Sequence, residues 1–346
     1  MPQTLDTLYD LRSLPFDDII DVRSPSEYAE DHIPGAISLP VLSDEERARV
    51  GTIYVQQDPF LARKIGAALV ARNAAAHIEG PLTGKSGGWR PLIYCWRGGQ
   101  RSGSFTMILK QIGWRADTVD GGYKAYRRMV VKALYDTPLP SRVVLLNGGT
   151  GTAKTRLLTH LARQGAQVID LEGLACHRGS LFGEIDGGQP SQKAFESRLA
   201  AELVRLDPDR PVFVEAESSR VGALNLPPVL WKAMREAQQV RLSAPIDARV
   251  THLVAEYQDY VKDPEALDRT LQRLVPYHGH KQVDAWQSLA AAGALSALTR
   301  ALITRHYDPR YTRISGEASH DPLHLRDLSD ETLDRCASGL IRKYDG

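Results

Sequence analysis

A strand, a glycine-rich turn and a helix between residues 142 and 164 constrain the fold of this chain more than any other segment. Residues 142–147 form a valine- and leucine-rich run typical of a buried strand, and a helix with a leucine face follows the turn. The turn consists of Gly148, Gly149, Thr150, Gly151, Thr152, Ala153, Lys154 and Thr155. This combination is typical of a phosphate-binding loop, the P-loop, and therefore predicts an α/β unit.

The composition of this turn predicts phosphate binding. Small residues let the backbone N–H groups close on phosphate oxygens, Lys154 adds a mobile cation, and the Thr155 hydroxyl can ligate Mg²⁺. The usual P-loop has glycine immediately before the lysine, whereas this chain has Ala153, whose Cβ would crowd the phosphate or restrict the backbone. The turn therefore supports phosphate binding but not ATP hydrolysis.

Acidic residues follow the next strands of the same unit. Residues 212–214 form an apolar strand that ends in acids, and acids at the carboxyl end of a parallel strand beside a P-loop are placed to hold Mg²⁺ or its waters. Thr155 and Glu215 are the predicted metal ligands, and a solvated loop with a salt bridge is the alternative interpretation. The predicted crevice of this unit comprises Asp170, Glu172, Arg178, Glu215, Glu217 and Arg220.

A second reactive motif surrounds Cys95. Residues 90–94 predict a short buried strand, and residues 104–112 predict a helix that stops at a glycine. The cysteine thus lies at a helix N-terminus, where the helix dipole and nearby arginines favour its thiolate and backbone N–H groups can hold an oxyanion. Cys95 is the predicted catalytic residue, and the predicted anion loop consists of Trp96, Arg97, Gly98, Gly99, Gln100, Arg101 and Ser102.

Length and composition favour a soluble protein of two domains. At 346 residues the chain is long for one core, and the prolines and turn formers of residues 136–141 predict a linker between domains at 1–135 and 142–346. Three widely spaced cysteines make no disulfide framework and indicate a reducing cytosol. The N-terminus lacks signal-peptide features, and the most apolar stretch, residues 289–303, is too short to span a bilayer. We therefore expect a cytoplasmic protein without a membrane partner.

Nucleic-acid binding requires a local patch, because a net charge of +1 gives no global attraction for a polyanion. Eight lysines and arginines lie between residues 97 and 132 against two acids, and aromatic residues are interleaved with them. Such a patch beside a reactive loop suits phosphate contacts and stacking on unpaired bases, although a solvated helix face has the same composition. The predicted contacts are Lys124, Arg127 and Arg128.

Several motifs carry a family resemblance. Residues 21–28 and 32–36, together with the Cys95 loop, resemble the signature of rhodanese domains. The loop has five residues between Cys95 and Arg101, a spacing shared with rhodanese-like phosphatases and one residue longer than in most sulfurtransferases. With the P-loop unit and the phrases at 45–54, 66–70, 121–127, 170–175 and 189–192, the chain from about residue 10 to about residue 330 resembles the bacterial tRNA 2-selenouridine synthases. Ala153, Cys176 and Ala216 depart from the pattern of that family.

The resemblance implies an N-terminal rhodanese-like parallel-sheet domain, followed by a P-loop NTPase-like α/β domain with a mostly helical C-terminal part. It also implies an enzyme that acts on the wobble 2-thiouridine of tRNA in two steps. The thiocarbonyl sulfur first attacks geranyl diphosphate, and the diphosphate leaves onto the P-loop. Selenium from selenophosphate then replaces the geranylated sulfur.

The same resemblance implies the substrates, partners and residue roles. The substrates are selenophosphate and geranyl diphosphate, with Mg²⁺ as an optional ion and no tightly bound cofactor. The partners are tRNA and an enzyme that supplies selenophosphate. In this scheme Cys95 attacks selenium or holds it as a perselenide, while Arg97 and Arg101 contact the phosphate oxygens. The longer loop leaves room for tetrahedral selenophosphate.

Other functions remain open from the sequence. A rhodanese-type sulfurtransferase or phosphatase acting on small substrates, with a regulatory P-loop domain, would use the same cysteine. An inactive interaction module joined to a nucleotide switch can dispense with the cysteine, so the intact Cys95 argues against it. A kinase would need an orthodox P-loop, and Ala153 argues against that.

Overall fold

The computed structural model describes residues 2–315 and 322–345, and these divide into two compact units. The first unit runs to Pro138 and also takes up residues 190–205 and 227–229. The second unit comprises residues 139–189 and 206–226 and those from Leu230 onward. The linear motifs place residues 190–205 in the P-loop domain, so their membership of the first unit is a feature that the sequence does not indicate.

Short parallel strands alternate with helices in the first part of the chain. The elements are α1 (Asp10–Ser13), β1 (Asp18–Asp21), α2 (Pro25–Glu30), β2 (Ile37–Ser38), α3 (Asp44–Gln56), α4 (Pro59–Glu79), β3 (Pro91–Tyr94), α5 (Gln100–Ile112), β4 (Asp117–Thr118), α6 (Gly122–Val131) and a π-helical turn at Lys132–Asp136. The strands pair in parallel in the order β2-β1-β3-β4. Every side chain of β3 is buried, as expected for a parallel sheet that is covered on both faces.

The later part of the chain builds a second parallel sheet and a helical region. Its elements are β5 (Val143–Gly148), α7 (Lys154–Arg163), β6 (Gln167–Ile169), α8 (Leu171–Ala175), α9 (Gln192–Leu203), β7 (Val212–Glu215), β8 (Arg220–Val221), β9 (Leu224–Asn225), α10 (Pro228–Glu236), β10 (Gln238–Ser243), α11 (Ile246–Glu256), α12 (Gln258–Lys262), α13 (Pro264–Gln272), α14 (Val275–His278), α15 (His280–Ala291), α16 (Leu295–Leu302), a π-helical turn at Ile303–Tyr307, α17 (Asp308–Ser315), β11 (Leu323–His324) and α18 (Asp330–Tyr344). The five-stranded sheet has the order β11-β10-β5-β7-β6, and all its pairings are parallel.

The predicted α/β class with parallel sheets is confirmed. The strands before the Cys95 loop and before the P-loop, β3 and β5, lie within one residue of their predicted bounds, and β7 covers the predicted acidic strand. The prediction of a mostly helical region from about residue 227 missed β10, which pairs with β5. This strand is only partly buried and begins with two exposed glutamines, so it lacks the continuous apolar run that marks the other strands.

Helix α9 completes the first unit. Its N-cap Ser191 accepts a hydrogen bond from the Ala194 N–H, and its apolar face, with Phe195, Leu199 and Leu203, is buried. Among the residues that the structure describes, no helix has the length and apolar character needed to cross a membrane.

Candidate active sites

Cys95 follows β3 directly, and the loop after it leads into α5. The cysteine side chain is 3% exposed, and its Sγ lies 3.1 Å from the hydroxyl of Ser102 in the first turn of α5. Residues 97–100 are exposed, so the rim of the loop is open to a ligand. Because backbone N–H groups at the start of a helix have no helical acceptor, this loop can hold an anion next to the sulfur.

The N-terminus of α6 holds the Cys95 loop in shape. The Tyr123 N–H donates to the Cys95 carbonyl at 2.9 Å, and the Lys124 N–H donates to the Trp96 carbonyl at 3.0 Å. Gly122 has a φ of +56°, and a Cβ at this position would overlap the Cys95 carbonyl oxygen. Gly122 therefore permits a close approach that a larger residue would prevent.

The two arginines of the loop have different surroundings. Arg97 is exposed, whereas Arg101 Nη1 lies 2.6 Å from Glu27 Oε2. Burial acts to raise the pKa of Glu27, but the Arg101 guanidinium, with help from Arg47, holds the pKa below its usual value. Arg97 is thus the free guanidinium of this loop, while Arg101 ties α5 to α2.

The P-loop joins β5 to α7 in the second unit. The backbone turns at Gly151, with φ +82°, and again at Ala153, with φ +60°. The Thr152 hydroxyl donates to the Gly149 carbonyl at 2.8 Å, and Lys154 Nζ lies 3.3 Å from the Gly148 carbonyl. The lysine therefore closes over the loop, in the position from which it can meet a bound phosphate.

Three carboxylates gather beside Thr155. The Thr155 hydroxyl lies 2.9 Å from Glu215 Oε2 and 3.2 Å from Glu172 Oε2, and Glu215 also accepts from the Glu172 N–H. One oxygen from each of Glu172, Glu215 and Glu217 lies within 4.8 Å of the others. Burial and mutual repulsion raise the pKa of Glu172 and of Glu215 to about 8 and the pKa of Glu217 to about 7, while Lys154 acts in the opposite direction.

This cluster suits a hard divalent cation such as Mg²⁺. Carboxylate and hydroxyl oxygens are the ligands that Mg²⁺ prefers, and a dication would relieve the repulsion that raises these pKa values. The structure brings together the predicted ligands Thr155 and Glu215 and adds Glu172 and Glu217 to them.

The other predicted crevice residues have separate roles. Asp170 caps α8 by accepting a hydrogen bond from the Gly173 N–H at 2.8 Å. Arg178 pairs with Asp259 at 2.9 Å and lies over the Tyr257 ring. A cleft of about 1140 Å³ is lined by the P-loop together with Asp170, Glu172, Arg178 and Glu217. Arg220 lies in β8 and is exposed, and it does not line this cleft.

The predicted nucleic-acid contacts lie on α6, beside the Cys95 loop. Lys124 and Arg128 are exposed and one helical turn apart. Arg127 is ion-paired with the buried Glu196 of α9, so its charge is already compensated. Trp96 and these basic residues line a hollow of about 170 Å³.

Sequence reasoning missed the partners of these arginines. Each acidic partner lies 69 to 81 residues away from its arginine in the sequence, so no local motif links the two. The pairs are Arg101 with Glu27, Arg127 with Glu196, and Arg178 with Asp259. Glu27 has a local signal of a different kind, because it lies three residues after Ser24 and forms a capping box with it.

Comparisons with known proteins find relatives of both parts of the chain. Residues 4–129 match the family model of the rhodanese-like domain, and residues 141–272 match that of the tRNA 2-selenouridine synthase AAA domain. A tRNA 2-selenouridine synthase from Aeromonas salmonicida is 34% identical over 87% of this chain and 89% of its own length. Proteins of the same name from Shewanella woodyi and Pseudomonas syringae pv. syringae are 30% and 37% identical over 88% and 73% of this chain, and over 92% and 69% of their own lengths.

Proposed function

This chain belongs to the family of tRNA 2-selenouridine synthases, and on that premise we propose that it replaces sulfur by selenium at C2 of the wobble 2-thiouridine of tRNA in two steps. The observation that carries this proposal is that one chain contains two different loops whose backbone N–H groups can hold an anion. One holds a cysteine at a helix N-terminus, and the other combines a P-loop with three carboxylates. Two sites of different chemistry suit two successive reactions.

The first step is S-geranylation, which we assign to the second unit. The thiocarbonyl sulfur attacks the carbon that bears the diphosphate of geranyl diphosphate, a C–S bond forms, and the C–O bond to diphosphate breaks. The P-loop N–H groups and Lys154 stabilise the negative charge that develops on the leaving diphosphate. This chemistry cleaves no nucleotide, so it is consistent with an alanine before the P-loop lysine.

Mg²⁺ would be held by Thr155, Glu172, Glu215 and Glu217. It would supply positive charge beside the diphosphate oxygens. Lys154 acts to lower the pKa values of Glu172 and Glu215, which favours the deprotonated carboxylates that would hold the ion. No tightly bound cofactor is needed for this scheme.

The second step exchanges sulfur for selenium, and we assign it to the Cys95 loop. Arg97 and the loop N–H groups bind the phosphate oxygens of selenophosphate, with its selenium beside Cys95 Sγ. Water cleaves the P–Se bond and releases phosphate. The hydroselenide then adds to C2, and the Cys95 thiolate takes the proton from selenium and passes it to the departing geranylthiolate. The products are 2-selenouridine and geranylthiol. An enzyme that makes selenophosphate is the natural supplier of this labile substrate.

Contact with tRNA is assigned to the exposed face of α6. Lys124 and Arg128 are placed to meet backbone phosphates, and Trp96 offers a ring on which a splayed base can stack. We propose a cytoplasmic reaction, since the substrate is tRNA.

Variants of Cys95 and of Lys154 test the assignment of selenation to the Cys95 loop and of geranylation to the P-loop. Cys95→Ser should abolish selenation and let S-geranyl-2-thiouridine accumulate, while Cys176→Ser, the matched control, should leave both products unchanged. Lys154→Ala should slow geranylation by about 10²- to 10³-fold and still allow selenation of tRNA that is already geranylated. The readout is mass spectrometry of wobble nucleosides with selenophosphate supplied. Both products surviving in Cys95→Ser would refute the assignment, and thiosulfate-dependent sulfur transfer without tRNA modification would support the sulfurtransferase alternative.

A further inference from the structure

An apolar chamber opens beside the P-loop in the second unit. It has a volume of about 80 Å³, and its walls include Leu253 of α11, Tyr257, and Leu298 and Leu302 of α16. Of the residues that the structure describes, none with a charged side chain lines it. Leu298 and Leu302 are 3% and 8% exposed, so these two walls belong to the core of the helical region.

The chamber adjoins the phosphate site. Four residues line both the chamber and the larger cleft that Lys154, Glu172 and Glu217 also line, namely Thr150 of the P-loop, Leu253, Tyr257 and Tyr307. Leu253 lies directly against the P-loop, since a Cβ on Gly151 would come 2.8 Å from Leu253 Cδ1. A ligand whose charged end occupies the P-loop therefore meets apolar walls immediately beyond it.

These two surroundings select the ligand class. The P-loop offers N–H groups and a lysine to a polyanion, whereas the chamber offers hydrocarbon and aromatic faces. A nucleoside would need polar partners for its base and ribose, but the hydroxyl of Tyr257 is already within hydrogen-bond distance of Ser180. A molecule with a diphosphate head and a hydrocarbon tail satisfies both surroundings.

We propose that the chamber binds the terminal isoprene unit of the prenyl diphosphate and so selects its chain length; this inference rests on the proposed geranyl transfer. A chamber of about 80 Å³ holds about six water-sized groups, which corresponds to one isoprene unit. The isoprene unit next to the diphosphate lies at the mouth, against Leu253 and Tyr257. A two-unit geranyl chain then fills the chamber, a one-unit dimethylallyl chain leaves it empty, and a three-unit farnesyl chain is too long.

Variants at Leu298 test the inference in the full-length protein. Binding of inorganic diphosphate and of dimethylallyl, geranyl and farnesyl diphosphates is measured by calorimetry. The wild-type protein should bind geranyl diphosphate about 100-fold more tightly than dimethylallyl diphosphate, because one further isoprene unit is buried. Leu298→Trp fills the chamber and should remove that difference, with inorganic diphosphate binding unchanged. Leu298→Ala enlarges it and should improve farnesyl binding relative to geranyl by about 10-fold.

Leu271→Ala is the matched control for loss of packing. Leu271 is fully buried in the same hydrophobic cluster but does not line the chamber, so its truncation should leave the chain-length preference unchanged. An unaltered preference in both Leu298 variants, with diphosphate still bound, would overturn the inference. Transfer of the chain to tRNA is measured separately: chain-length-selective binding without transfer would refute the proposed geranylation and leave the chamber assignment intact.

Discussion

Ala153 adopts a backbone conformation that L-residues rarely occupy. Its φ and ψ are +60° and 37°, in the left-handed region where glycine is the usual residue. The conformation costs about 1 kcal/mol or more for a residue with a Cβ. The side chain is 4% exposed and belongs to a hydrophobic cluster with Leu157 and Leu242, and its burial offsets part of this cost. The alanine thus keeps the backbone shape of a glycine-containing P-loop.

Replacing Ala153 by glycine should therefore lower the free energy of unfolding by only about 1 kcal/mol. The substitution relieves the strained φ, which stabilises the folded state. It also removes a buried methyl group and raises the conformational entropy of the unfolded chain, both of which destabilise the folded state. Each of the three effects is about 1 kcal/mol. The matched control is Ala337→Gly, in the middle of α18 and fully buried in the same cluster, where no strain is relieved. The control should lower the free energy of unfolding by about 2 kcal/mol. Thermal unfolding compares the two, and equal losses would contradict the account of Ala153.

At the scale of elements, the acidic cluster at the carboxyl ends of β6 and β7 contributes a pH dependence to the second unit. The pKa values of Glu172, Glu215 and Glu217 are raised to about 8, 8 and 7. From about pH 5 to pH 8 these three groups then bind more protons in the folded state than in the unfolded state, so their contribution to the stability of the metal-free protein falls as the pH rises.

Stabilisation of the folded protein by Mg²⁺ should instead increase as the pH rises. Because the ion binds deprotonated carboxylates, Mg²⁺ at about 100 times its dissociation constant should add about 2.7 kcal/mol at pH 8.5 and much less at pH 6. Unfolding temperatures measured with Mg²⁺ and with chelator at both pH values give the comparison. Glu215→Gln should weaken the pH dependence of the metal-free stability and that of the Mg²⁺ stabilisation. Equal Mg²⁺ stabilisation of the wild-type protein at the two pH values would exclude the cluster as the metal site.

The elements that the sequence predicts well are those with a continuous apolar run next to a glycine-rich turn. β3 and β5 meet this condition, and each is followed by a helix whose leucines or isoleucines share one face. β10 pairs with a strand on each side, β11 and β5. Its sequence, however, mixes glutamines and an arginine with apolar residues, so the residue pattern alone does not distinguish this strand from the helices around it in the sequence. Its placement depends on pairing with β5, which is a tertiary contact.

At the scale of the whole molecule, the parts of the sites that follow from local sequence patterns are predictable, and the parts that depend on tertiary contacts are not. Thr155, Glu172 and Glu215 follow three strands of one parallel sheet, and parallel strands end at a common edge, so their convergence follows from the sequence. The ion pair between Arg101 and Glu27 joins residues 74 positions apart, and no periodicity encodes it. The position of helix α9 is unpredictable for the same reason. The pattern of its apolar residues indicates a buried face but does not indicate which unit that face packs against.

The first unit should consequently be incomplete without α9. Ser197 donates to the buried Asp31 at 2.9 Å, Glu196 compensates Arg127, and Phe195 is fully buried. A protein of residues 1–138 loses these contacts, and each large apolar side chain alone contributes about 1.5 to 3 kcal/mol. Joining residues 190–205 to it through a glycine- and serine-rich linker should raise the unfolding temperature markedly and protect the amides of α6 from hydrogen exchange. The same fusion with Phe195→Asp should not do so, and if 1–138 alone proved as stable as the fusion, α9 would have no role in holding the helix that supports the Cys95 loop.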